Sequence, residues 1–469
     1  MSAVPPPNRA AFTLGEIAAL TGGYARGPAE LRCEGVHTDT RTLPTGAAFV
    51  ALRGAHFDAH DFLPSAAGRA ALAIVRRGYE PPAGLDLPLV WVEEPLAALG
   101  ALARAHRARF SIPLGAITGS NGKTTTKELA ASVFEAAFGK TLKTEGNFNN
   151  EVGLPLTLLR LDESHRAACI EMGMNHPGEI ARLTAIARPR AGVVTCAQAV
   201  HLEGLGSVEA VARAKGELYA GLDEDAVAVV NADDPHMVAE AERAGRRQIR
   251  FGGEGAEVAL HRIVSHDRDG LLFEVRFFGG APRPVRLRLV GRHNAHNACA
   301  AMALGLALGA DEDAVVRGIE TARGAPRRLQ LRPAPGGFVV LDDVYNANPA
   351  STVAALRTAH ELQGARRVVA VLGDLLELGA HEIAGHEEVG RAAAAVGVAH
   401  LVAFGSRART IARAARDGGV PAEAVLETED PDEALRWLRA RLGEGDLVLC
   451  KASRGMRLER IADPLVEGA

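Results

Sequence analysis

The 469-residue chain is short of several things, and each shortage removes a class of function. Aromatics make up only 4%, so nucleic-acid binding by stacking bases on aromatic platforms is not expected. Positive charge is not in excess. The 53 Lys+Arg face 57 Asp+Glu, a net charge of -4, which argues against a basic surface for a polyanion but leaves a small phosphorylated substrate open. The five cysteines (Cys33, Cys169, Cys196, Cys299, Cys450) are scattered, with no CxxC pair, so neither a disulfide framework nor a zinc site is expected. The longest uncharged apolar run, about 298–310, is far short of the ~20 residues of a membrane span. The first residues, MSAVPPPNRAAF, lack the basic and apolar regions of a signal peptide. A cytoplasmic α/β protein with no membrane span is the expectation.

Lysine is the most informative shortage. Only six of the 53 cationic residues are lysine: Lys123, Lys127, Lys140, Lys143, Lys215 and Lys451. Lysine and arginine are interchangeable on most surfaces but not where a compact ammonium or a neutral amine is needed. Lys127, Lys140 and Lys143 read as chance survivors on a solvated face.

Short strands near 47–52, 71–75 and 89–92, then a helix over about 95–109, fill the first hundred residues. Ser111-Ile112-Pro113 breaks that helix. Apolar runs at 114–117, 167–170, 191–195 and 226–230 alternate with helix-length amphipathic segments, the pattern of a doubly wound parallel sheet. Three alternating segments over 257–289 read as a small antiparallel insert or edge, and a helix begins near His293. After a linker at Gly324-Ala325-Pro326, a second alternation places strands at 338–341, 368–372, 401–404 and 446–450. Three domains follow: 1–111, a small α/β unit; 112–325, a central sheet; 326–469, a Rossmann-like unit.

Between the run at 114–117 and a helix read from Lys127 onward lies Thr118-Gly119-Ser120-Asn121-Gly122-Lys123-Thr124-Thr125-Thr126. A strand, a glycine turn and a helix start converge backbone N–H groups on one point, as a phosphate requires. Lys123 would reach the outer phosphate oxygens, and Thr124 would offer a hydroxyl to Mg²⁺. The spacing fits a short GxxGK[ST] form rather than GxxxxGK[ST].

Parallel strands carry their ligands at their C-terminal ends. Glu171 ends one strand and suits Mg²⁺. His201 follows another, where position alone does not choose between a structural and a site role. Lys215 lies in a helix: a cation for phosphate, an amine carboxylated by CO₂ and a surface ammonium all remain open. Asn231-Ala232-Asp233-Asp234 reads as a turn and helix cap. In the last unit Asp342-Asp343-Val344-Tyr345-Asn346-Ala347-Asn348-Pro349 follows an apolar strand. Arg327-Arg328 at the linker and Lys451 after the final strand complete a second polar face.

Taken in order, these segments resemble the Mur ligase family. The resemblance rests on TDTR (38–41) and FVALRG (49–54) with FDAHDF (57–62). It continues through TGSNGKTTTK (118–127), GNFNNEVGLP (146–155), EMGMNHPGEI (171–180), HLEGLGSVE (201–209), AKGE (214–217) and GRHNAHN (291–297). DDVYNANP (342–349), VLGDLLELG (371–379) and KASRGMRLE (451–459) complete it. Within the family it is most like the member that joins D-alanyl-D-alanine to a UDP-N-acetylmuramoyl-tripeptide. An Asp-Asn-Pro-Arg motif, expected of the diamino-acid adder, is absent. Ala452 and Leu375 stand where the family usually has Gly and Met.

The resemblance implies an ATP-dependent ligase acting through an acyl phosphate, with ATP held by Gly119, Ser120, Asn121, Gly122, Lys123, Thr124 and Thr125. Asn294 and Asn297 would lie near the adenine, with Arg328, Asp343 and Tyr345 closing over the nucleotide. Thr124 and Glu171 would hold one Mg²⁺; His201 and a carbamylated Lys215 a second, with Lys123, His201 and Lys215 the catalytic set. Thr40 and Arg41 would contact the uridine diphosphate, and Asn346 and Asn348 the substrate side of the last unit. A monomer is expected. The alternatives are another amino-acid-adding ligase of this scaffold, such as a folylpolyglutamate synthase, and a phosphate-loop kinase or NTPase.

Overall fold

The computed structural model describes residues 7–54, 57–198, 206–363 and 367–468. His201 therefore lies outside the described residues. Three sheets organise the chain, besides a two-stranded pairing of Ala11–Thr13 with Arg32–Glu34.

The first lobe carries five strands in the order Tyr24–Arg26, Leu89–Val92, Leu72–Arg76, Ala48–Val50, Val36–His37. All its pairings are parallel except that of Tyr24–Arg26. The helix Pro95–Arg107 leads on to the central lobe, with Glu94 capping its first turn and Pro95 at its start.

The central sheet has nine strands. From one edge they run Thr141–Lys143, Ala167–Glu171, Leu114–Thr118, Ala191–Val194, Val227–Asn231 and Arg247–Gly252, all parallel. The four inner strands, from Ala167–Glu171 to Val227–Asn231, are largely apolar runs because both faces are covered. Ala116, Ile170 and Val194 point into one core, and Ile117, Cys169 and Val193 into the other. The strand Leu114–Thr118 lies between its successors, so the connections wind away from it on both sides. A crevice opens there, beyond the strands' C-terminal ends. Val258–Asp267 pairs parallel with Arg247–Gly252, and Gly270–Phe277 and Arg283–Leu287 follow it antiparallel, so these segments extend the same sheet at its far edge.

The last lobe has six strands in the order Gln330–Pro333, Val339–Asp342, Leu447–Lys451, Val368–Gly373, His400–Phe404, Val425–Thr428, with only the first pairing antiparallel. No helix among the described residues is long and apolar enough to cross a membrane.

Two sequence expectations need correction. The helix after the phosphate loop runs Lys123–Phe138, four residues earlier than read, because Gly122 (φ +80°) turns the chain directly into it. Lys127 is not on a solvated face: it is 2% exposed, and its ammonium donates to the Thr144 carbonyl. Of its two companions, Lys143 pairs with Glu128, and Lys140 donates to the Ser164 hydroxyl.

Candidate active site

A cavity of about 590 Å³ lies between the central and last lobes. Its floor is the phosphate loop. Gly119 (φ +146°) brings the backbone against the next strand end, where an added Cβ would stand 1.8 Å from Thr195 Oγ1. Thr195 in turn donates its hydroxyl to the Asn121 carbonyl at 2.5 Å. Ser120 N–H donates to Cys196 O, and Asn121 Nδ2 to Gln198 Oε1. The turn is thus tied from both sides, and the first N–H groups of the helix face the cavity with the positive end of its dipole.

Lys123 folds back over the turn, donating to Gly119 O at 2.7 Å. Desolvation lowers its pKa; Arg328 adds to the effect and Glu171 opposes it. Arg328 reaches across from the last lobe and donates Nη2 to Thr124 Oγ1 at 3.0 Å, its guanidinium 4.4 Å over the Tyr345 ring. Arg327, its neighbour, goes elsewhere: it pairs with Asp463 at 2.8 Å. A second bridge between lobes runs from Asn348 Nδ2 to Asn121 Oδ1 at 2.8 Å.

Glu171 is 2% exposed and lines the cavity. Asn149 Nδ2 donates to its Oε1 at 2.8 Å, while Oε2 has no hydrogen-bond partner among the described residues. Lys215 is 2% exposed, in the helix Val208–Ala220. Burial drives its pKa well below that of an ordinary lysine; nearby Lys123 pushes the same way and Cys196 opposes. Burial thus disfavours the ammonium form of this amine. Among the described residues no group of three or more His, Cys, Asp and Glu could hold a metal ion.

Asp343 accepts from Lys451 Nζ at 2.6 Å and from Leu329 N–H at 3.2 Å; Lys451 also donates to Asn346 O. Asn348 caps the next helix by accepting from Ser351 N–H. Asn294 donates to Val290 O, and Asn297 donates to Asn294 Oδ1 while standing against Gly122, so both are fixed beside the loop.

The cavity thus gathers Ser120 to Thr125, Glu171, Asn294, Asn297, Arg328, Asp343, Tyr345, Asn346 and Asn348. Lys215 is not among the residues that line it. Thr40 and Arg41 are not brought here; Arg41 sits in the first lobe, its guanidinium on Asp39 at 2.6 Å. Asn149, Thr195 and Gln198 carry no assignment from the sequence, although Asn149 lies within the GNFNNEVGLP segment (146–155). Lys451, part of the second polar face read from the sequence, lines the cavity and is paired there with Asp343. Asp234 caps the helix Pro235–Ala244 as expected, and also accepts from Ala197 N–H.

Fold and site define a phosphate-loop α/β protein whose last lobe folds a guanidinium onto the loop. Residues 117–305 match the Mur ligase middle domain and 327–454 the Mur ligase, glutamate ligase domain. The chain is 38% identical to the UDP-N-acetylmuramoyl-tripeptide--D-alanyl-D-alanine ligase of Escherichia coli (strain K12), over 97% of this chain and 98% of that one. It belongs to the Mur ligase family. A crystal structure of MurF from Acinetobacter baumannii superposes with TM-score 0.87 at 32% identity, covering 99% of this chain and 100% of that one. MurF ligase from Thermotoga maritima in complex with ADP gives 0.81 at 28% identity, covering 92% and 97%.

Proposed function

We propose that this chain is an ATP-dependent ligase joining D-alanyl-D-alanine to a UDP-N-acetylmuramoyl-tripeptide, a step of peptidoglycan precursor synthesis that yields the pentapeptide, ADP and phosphate. The observation that carries the reading is the meeting of Lys123, Thr124 and the last lobe's Arg328 in one cavity with Glu171. The near full-length likeness to ligases of that name supports the choice of substrates.

In this reading residues 1–111 hold the sugar nucleotide, with Thr40 and Arg41 on the diphosphate. Residues 112–325 hold ATP, and 326–469 close over it and receive the dipeptide beside Asn346 and Asn348. In the same reading the protein works as a monomer in the cytoplasm.

The donor set fits Mg²⁺. Glu171 Oε2 is buried without a hydrogen-bond partner among the described residues, and Thr124 lines the same cavity. Phosphate oxygens and water would complete such a shell, so no cluster of three acidic or imidazole side chains is required. A second ion would use Lys215 as its carbamate, with His201. Magnesium supplies charge that offsets the repulsion between a carboxylate and a triphosphate.

The chain's own work is alignment and charge. Lys123 and Arg328 approach the phosphates from opposite lobes, and the loop N–H groups orient them. The tripeptide carboxylate attacks the γ-phosphorus, ADP leaves, and the dipeptide amine displaces phosphate from the acyl carbon. Closing the two lobes keeps water from the acyl phosphate. The test is ADP release with each substrate withheld in turn: the reading requires both the nucleotide-linked tripeptide and the dipeptide. Turnover with water alone, or with a single hydroxyl acceptor, would indicate an NTPase or kinase.

A further inference from the structure

Lys127 takes no part in the chemistry above, yet it is among the largest fully buried side chains. Its Nζ donates to Thr144 O at 2.7 Å and lies 2.7 Å from Glu128 Oε1, whose other oxygen accepts from Lys143 at 2.6 Å. Thr144 is completely buried, and its hydroxyl accepts the N–H of Glu171 at 2.9 Å. Its own N–H is bonded to Cys169 O, two residues before Glu171 on the neighbouring strand. From the other side, Asn149 occupies Glu171 Oε1.

We propose that Lys127 is a positioning residue for the cation carboxylate Glu171, acting through Thr144. The inference rests on the reading of Glu171 as a magnesium residue. Lys127 fixes the Thr144 carbonyl, the branched side chain restricts its own rotamer, and the hydroxyl then sets the end of the strand. With one carboxylate oxygen held by Asn149 and the backbone held by Thr144, the free Oε2 has one orientation. A compact ammonium meets the Thr144 carbonyl and the Glu128 carboxylate together, a geometry that a planar guanidinium does not reproduce.

The probe is Mn²⁺ in place of Mg²⁺, bound to the full chain with a non-hydrolysable ATP analogue and read by electron paramagnetic resonance. Affinity for the analogue in EDTA and the melting temperature are measured alongside. Glu171→Gln establishes the reference loss. Lys127→Met and Thr144→Val each weaken Mn²⁺ binding about 10-fold, the order typical of groups behind a metal ligand, with the EDTA affinity unchanged. Lys127→Met added to Glu171→Gln causes no further loss, and Thr144→Ser retains the metal.

Wild-type Mn²⁺ affinity in Lys127→Met, with the loss intact in Glu171→Gln, overturns the relay and leaves the role of Glu171 standing. Wild-type affinity in Glu171→Gln overturns that role and the relay with it. If Lys127→Met does not fold, Lys127→Arg takes its place, since it keeps the charge but not the compact ammonium, beside Thr144→Val, which exchanges the hydroxyl for a methyl: unchanged Mn²⁺ affinity in either overturns the proposal.

Discussion

Gly119→Ala is the sharpest perturbation of the phosphate loop. The backbone there has φ +146°, a conformation that costs a residue with a side chain about 1–3 kcal/mol. The new Cβ would stand 1.8 Å from Thr195 Oγ1 and 3.0 Å from Thr195 N, so the hydroxyl must leave Asn121 O. That hydrogen bond is worth about 1 kcal/mol. The two effects together come to about 2–4 kcal/mol. Expressed wholly in the loop's binding-competent shape, they weaken ATP binding by roughly 30- to 700-fold at 1.4 kcal/mol per decade. Titration calorimetry with a non-hydrolysable ATP analogue reads the loss. Adding Thr195→Ala removes the 1.8 Å contact but not those at 3.0 Å, so the double variant recovers part of the affinity. A Gly119→Ala chain that binds the analogue as wild type does would refute the assignment of this turn to phosphate.

The remaining predictions concern the groups around the loop. Lys215→Ala abolishes ligation, and short-chain carboxylic acids restore part of it by replacing the carbamate; full activity in the unrescued variant would remove Lys215 from the site. Lys451→Met strands the Asp343 carboxylate at a place where the two side chains are 3% and 11% exposed, and urea unfolding loses about 3 kcal/mol. Glu361 takes hydrogen bonds from both His266 and Arg292, linking the helix Pro349–Gln363 to the central lobe, so Glu361→Ala loosens the lobes and raises the radius of gyration in small-angle scattering. Burial alone would raise the Glu128 pKa, but Lys127 and Lys143 outweigh it and hold it below the ordinary value of 4.5. The stabilisation is therefore complete above that value and lost as pH falls through the folded pKa. The stability gap between wild type and Glu128→Gln narrows from pH 7 to pH 4, and a constant gap would contradict the assignment.

The parts of the site that the sequence disclosed are those whose chemistry is contiguous. Thr118 to Thr126 brings its own turn, cation and helix start within nine residues, and strand-end residues such as Glu171 and Asp343 follow from the alternation of apolar runs. What stayed hidden depends on pairing between distant segments. Lys127 looks like a surface lysine until the strand Thr141–Lys143 is placed beside Ala167–Glu171, which brings the Thr144 carbonyl over it. Lys451 and Asp343 are separated by more than a hundred residues yet emerge at the ends of adjacent strands. Which of Arg327 and Arg328 enters the cavity is decided by Asp463, a residue of the last helix that has no mark in sequence. The early start of the helix at Lys123 turns on Gly122, whose φ is invisible in a string of letters.

The most direct measurement is mass spectrometry of the product from ATP, D-alanyl-D-alanine and a UDP-N-acetylmuramoyl-tripeptide labelled with ¹⁸O in its terminal carboxylate. The expected product is the UDP-linked pentapeptide, with one label transferred to inorganic phosphate. Pentapeptide formed with unlabelled phosphate, or labelled tripeptide recovered intact beside ADP, would contradict it.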